Sequence, residues 1–205
     1  MTIFTRRILL LFLFSVYSLS AMFFAFFGKI WTDENWYYTG SVMVTKGLLP
    51  YIDFSTHHNP LFFYIYALPQ YFFGPSLLIG RLTSVFIIII IFFLTHKILQ
   101  KLTNDYGTIL GLSFLTFNFT FTKWQSNVTY HPLEALTFLL FFYFLSSNYK
   151  TSYKYILCTV SLVLCFSTRY ITDITLIYII IFFMYIYIIE KKEIRSILFP
   201  SIVLF

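Results

Sequence analysis

Between Arg7 and Lys29, and again between Arg81 and Lys97, the chain carries no charged side chain, and both intervals are filled with Phe, Ile, Leu and small residues. A helix rises about 1.5 Å per residue, so the first interval, and the second once the apolar residues from Ser76 are added to it, can cross a hydrocarbon layer about 30 Å thick. Few other folds accept such stretches. The composition agrees: of 205 residues 59% are hydrophobic, 23% aromatic and only 11% charged, which is not the usage of a soluble domain. The expected fold class is all-α, a polytopic transmembrane helix bundle with interfacial helices in the first outer loop.

Ile8 to Phe27 forms the first expected span, and Arg6 and Arg7 before it place the amino terminus inside. A signal peptide cleaved near Ser20-Ala21 is disfavoured, because the apolar run continues through Phe27. Leu61 to Phe73 is interrupted by Pro69 and closed by Gly74-Pro75, so an interfacial helix is expected there. Further spans are expected at 76–94, 107–121, 133–145, 155–166 and 174–189. The run 196–205 is too short to cross and reads as the start of a seventh span. The chain is thus expected to be one transmembrane domain over 1–205, the amino-terminal part of a larger one.

Charge distribution tests this layout independently of hydropathy. Nine of the fourteen basic residues, Arg6, Arg7, Lys97, Lys101, Lys150, Lys154, Lys191, Lys192 and Arg195, fall on the inner side. Five of the eight acids, Asp33, Glu34, Asp53, Glu134 and Asp173, fall on the outer side. That asymmetry obeys the positive-inside rule. The net charge of +6 is scattered in ones and twos, as topology-setting loop charges are, and nucleic-acid binding is excluded on that ground. The two cysteines, Cys158 and Cys165, stand seven residues apart in an apolar run, which suits packing rather than a disulfide or metal site.

Trp31 to Pro60 is a polar island in this apolar chain, and residues 31–74 are expected to form the outer catalytic loop. Asp33 and Glu34 follow the first span directly, within a belt of Trp31, Trp36, Tyr37 and Tyr38. Trp and Tyr favour headgroup depth, so an interfacial anchor is the plain reading of the belt. Glu134 sits at the outer mouth of the fourth span after Tyr130-His131-Pro132, and Arg169 at the outer end of the fifth. Arg169 and Asp173, at i and i+4, can also form an intrahelical pair. Arg81 lies about a turn into the second span, where an unpaired guanidinium costs about 2.5 kcal/mol or more, so an acidic or phosphate partner is expected. His57 and His58 are contacts for a carrier or acceptor, or exposed loop histidines. Asn127-Val-Thr129 and Asn118-Phe-Thr120 match the glycosylation sequon and are taken as chance matches.

The order Asp33-Glu34, Tyr37-Tyr38, Gly-Leu-Leu-Pro-Tyr-Ile-Asp-Phe over 47–54, His58-Asn-Pro-Leu61, Phe73-Gly-Pro-Ser76 and Gly80-Arg-Leu82 resembles the first outer loop of the GT-C class of membrane glycosyltransferases. Within that class it is similar to the branch of protein O-mannosyltransferases and lipid A aminoarabinose transferases. The resemblance runs from about Arg6 to Ile189 and is densest over Thr32 to Arg81. It implies inverting transfer of a sugar from a polyprenyl-phosphate carrier to a lipid, glycan or protein acceptor on the non-cytoplasmic face of the cell membrane. By position, Asp33 would be the catalytic base and Glu34 a positioning or tuning neighbour. Arg169 and Arg81 would contact phosphate. The family's second acidic slot, just before a proline, holds His131 here, with Glu134 close after it, and either can serve. A divalent cation bridged by acids of the two loops is a further option. Asn59 carries no charge where aminoarabinose transferases have a lysine, which points to a less specialised relative.

Two other classes compete with the enzyme. A transporter or flippase of lipid-linked sugar would want ionisable groups or helix breaks at the midplane, yet Phe86 to Phe93 is unbroken and apolar. A non-catalytic or truncated membrane subunit would keep the topology without the chemistry.

Overall fold

The structure, a computed structural model, describes residues 2–56, 58–149 and 151–168, with the helical positions 177, 180, 181 and 184. The described residues build helices: α1 (Ile3–Phe27), α2 (Thr32–Thr45), α3 (Leu61–Phe73), α4 (Leu77–Leu102), α5 (Asp105–Phe117), α6 (Phe119–Gln125), α7 (His131–Leu145) and α8 (Thr151–Thr168). Among these residues the only β pairing is an isolated bridge between Pro50 and Phe54. Two helices, α1 and α4, are long and apolar enough to cross a membrane, whereas α3, α7 and α8 contain shorter apolar stretches. Apart from the four helical positions, the expected spans at 174–189 and 196–205 lie outside the described residues.

Helix α4 is the centre of the packing. One side meets α1 and α5, where Val85, Ile88 and Phe92 close on Leu13, Tyr17, Ala21, Ala25 and Leu112. The α1 residues recur every four positions and make one stripe, and Ala21 and Ala25 let the two backbones approach closely. The other side of α4 carries Ile87 and Ile91 into a cluster with Tyr37, Phe62, Phe63, Tyr66, Val128, Tyr130 and Leu133. Between these two packed sides α4 still exposes Phe86 and Phe93, so its apolar surface extends beyond the part its neighbours cover.

Two glycines set how close the elements lie. A Cβ on Gly40 would stand 2.3 Å from Cε1 of Phe63, so its absence lets α2 lie against α3. A Cβ on Gly80 would stand 2.7 Å from Val128 Cγ2, so the 126–130 segment seats directly on α4.

One expected element differs. The span placed at 107–121 is two helices, α5 and α6, separated at Asn118. The Asn118 side chain accepts a hydrogen bond from the Phe121 N–H at 3.1 Å and so caps α6. Asparagine competes for local backbone groups in this way and favours caps over helix interiors. Likewise, α4 runs on to Leu102, past the expected end at 94.

The ends of the bundle differ in charge. Arg6 pairs with Asp105 at 2.9 Å, so the amino terminus lies beside the α4–α5 turn. Lys101 lies 4.5 Å from the Tyr143 ring centroid and 3.5 Å from the Ser146 carbonyl, near the close of α7. Asp33, Glu34 and Glu134 sit at the opposite ends of these helices, in the first turns of α2 and α7.

Candidate functional site

Asp33 and Glu34 are adjacent, but a helix turns about 100° per residue, and they face different ways. Tyr37, Gly40 and Ser41, three, six and seven positions after Glu34, are buried with it, so Glu34 belongs to the inward stripe of α2. Asp33 is exposed. Negative charge in this first turn suits the positive end of the α2 dipole.

The Glu34 carboxylate is wholly buried, 0% exposed, and Arg81 is 4% exposed. Arg81 Nε donates to Oε1 at 2.7 Å and a terminal nitrogen donates to Oε2 at 2.6 Å, a forked pair. The other Arg81 N–H groups donate to the carbonyls of Ala25 at 3.1 Å, Gly28 at 2.9 Å and Lys29 at 3.3 Å. Glu34 Oε1 also accepts from the Val128 N–H at 3.1 Å. A guanidinium has five N–H donors, and here all five are used. The acidic partner anticipated for Arg81 is therefore Glu34. The pair ties together the end of α1, the start of α2, α4 and the 126–130 segment, and leaves Arg81 no donor for a phosphate. Glu34, expected to tune Asp33, instead spends its oxygens on this pair.

A second polar chain fixes the same segment. The Tyr66 hydroxyl bonds Ser84 Oγ at 2.7 Å, and Ser84 Oγ donates to the Asn127 carbonyl at 2.7 Å. Burial pushes the Tyr66 phenol up from its ordinary value, so it remains a donor.

Above these supports lies a cavity of about 220 Å³, walled by Trp31, Asp33, Tyr37, Trp124, Thr129 and His131, with Glu34 at its floor. Asp33 and His131 thus meet in one cleft. Glu134 pairs with His131 instead of lining the cleft, its Oε2 lying 3.9 Å from Nδ1. Of the two residues open for the second polar slot, His131 is the one on the cavity wall. His58 is buried; its Nε2 bonds the Tyr37 hydroxyl at 3.0 Å and its ring stacks on Tyr130 at 5.1 Å. It supports the wall of the cleft from behind and is not an exposed loop histidine. Asp53 closes the 49–53 turn by accepting from the Leu49 N–H at 2.7 Å. Asn59 donates to the Phe166 carbonyl of α8. His57, Arg169 and Asp173 lie outside the described residues. Among the described residues no three His, Cys, Asp or Glu side chains converge.

Trp124, Asn127 and Thr129 also line the cleft, and Lys123 stands beside Trp31 at its edge, none of them a candidate from the sequence. Their signal was present as a second polar interval, Lys123 to His131, read only as a chance sequon. Asn127 is 3% exposed, which is incompatible with its serving as a glycosylation acceptor in the folded chain. Comparison of the chain with models of protein families, with curated proteins and with solved structures finds no match.

Proposed function

We propose that the chain is a membrane glycosyltransferase that moves a sugar from a polyprenyl-phosphate donor to an acceptor hydroxyl, with inversion. The observation that carries this reading is Asp33, an exposed carboxylate opening on an aromatic-walled cleft at the end of the bundle remote from the Arg6–Asp105 pair. In this reading the protein is a multi-pass protein of the cell membrane, its amino terminus cytoplasmic and its cleft on the non-cytoplasmic face. The likeness of residues 32–81 to the first outer loop of the GT-C class supports the same chemistry.

Asp33 takes the proton of the acceptor hydroxyl as that oxygen forms its bond to the anomeric carbon. The bond from the anomeric carbon to the phosphate oxygen breaks with its electron pair, and the lipid phosphate leaves from the opposite face, which inverts the configuration. Glu34 and Arg81 do not touch the reactants. They hold the start of α2, and so the position of Asp33, against α4. The acceptor is a lipid, a glycan or a protein.

The test is Asp33→Asn, assayed for sugar transfer from a polyprenyl-phosphate hexose in proteoliposomes. Transfer is expected to vanish while insertion and thermal unfolding stay as in the parent; unchanged transfer removes Asp33 from the mechanism.

A further inference from the structure

The cleft has an aromatic and cationic edge that proton transfer by Asp33 does not use. Trp31 and Trp124 are 42% and 44% exposed, with ring centroids 5.1 Å apart and planes at 31°. Both line the Asp33 cavity. Lys123 Nζ lies 5.7 Å from the Trp31 ring centroid. Deeper in the same wall, Thr129 is 5% exposed, and among the described residues its hydroxyl has no hydrogen-bond partner. A buried hydroxyl left this way costs free energy unless something polar arrives to meet it.

We propose, resting on the glycosyl-transfer reading, that this edge receives the sugar phosphate head of the donor. Lys123 pairs with the phosphate, the Trp31–Trp124 indoles carry the C–H face of the sugar ring, and Thr129 Oγ bonds a sugar hydroxyl. Arg81 is unavailable for the phosphate because its N–H groups are committed to Glu34 and to the end of α1. Lys123 has the opposite character, a point charge on a flexible stem resting at an exposed ring face, which a phosphate oxygen can draw away. A phosphodiester linking lipid to sugar bears one negative charge, and one ammonium matches it. The phosphate at Lys123, beside Trp31 at the rim, then stands next to the cavity in which Asp33 meets the acceptor, as displacement between them requires.

The chain contains three tryptophans, Trp31, Trp36 and Trp124, and two of them line the cleft, so intrinsic fluorescence reports its occupancy. The full chain in zwitterionic nanodiscs is titrated with a short-chain polyprenyl phosphate, with the same lipid carrying a hexose, and with free hexose. Quenching is expected with both lipids, at lower concentration for the hexose-bearing one. Lys123→Gln is expected to weaken both lipids about tenfold, the scale of one charge-assisted hydrogen bond. Trp124→Leu should abolish the preference for the sugar-bearing lipid, and Trp124→Phe should keep part of it. Lys123→Gln binding as the parent does, or a parent chain indifferent to the sugar, overturns the head-group assignment and leaves Asp33 standing. A parent chain that binds neither lipid overturns both this assignment and the donor class beneath it.

Discussion

Arg81 and Glu34, 47 residues apart, meet through two parallel hydrogen bonds of 2.7 and 2.6 Å in a site closed to solvent. Removing one partner strands the other as a buried charge, at a cost of about 3–5 kcal/mol. Arg81→Gln and Glu34→Gln should each lower the thermal unfolding midpoint in detergent sharply. The double variant should lose less than the sum of the two, because the partners share one interaction. Arg81→Lys keeps the charge but not the fork, and should fall between parent and Arg81→Gln. Additive losses would mean that the two side chains act independently.

Adjacent carboxylates should behave in opposite ways. Asp33 is exposed and Glu34 is not, so Asp33→Asn should shift stability by no more than about 0.5 kcal/mol. Glu34→Gln should produce poorly folded protein. Paired melting curves of the two variants decide the matter, and a melt of Asp33→Asn as low as that of Glu34→Gln would contradict the inward and outward division of α2.

Gly40→Ala puts a methyl 2.3 Å from the Phe63 ring, which is itself fully buried. Overpacking of this kind costs about 1–3 kcal/mol. The loss should be visible as a lower unfolding midpoint, and Gly40→Ala with Phe63→Leu should recover part of it. No loss in the single variant would show that α2 and α3 can separate freely.

The proposed membrane sidedness can be read at two exposed positions, Thr39 on α2 and Tyr106 on α5. Thr39→Cys should react with an impermeant thiol reagent in intact cells, and Tyr106→Cys only after permeabilisation. The native Cys158 and Cys165 are buried and should stay silent. Labelling of both engineered positions from one side would overturn the proposed orientation.

Hydropathy located α1 and the start of α4 because a long charge-free run has few other uses. It failed at Asn118, where Phe117, Phe119 and Phe121 keep the average apolar while one amide side chain ends a helix and begins the next. Hydropathy sums side-chain transfer and is blind to capping. Arg81 announced in the sequence that it needed a partner, but not which one, since the choice rests on a contact between α2 and α4. The facing of Glu34 was nearer to hand: its spacing to Tyr37 and Ser41 is that of one helical stripe. The aromatic edge at Trp124 was less legible, for it depends on Trp31 arriving from another element at 5.1 Å.

The carbonyls of Ala25 and Gly28 at the end of α1 receive their hydrogen bonds from Arg81, 56 and 53 residues later in the chain. A ribosome adding about 5–20 residues per second delivers that arginine roughly 3–10 s after Gly28. Until then these two carbonyls lack the donor that ties them to α4. The junction of α1 and α2, and with it the place of Asp33, is therefore completed late in biosynthesis, by a residue the chain has not yet made when its first helix is finished.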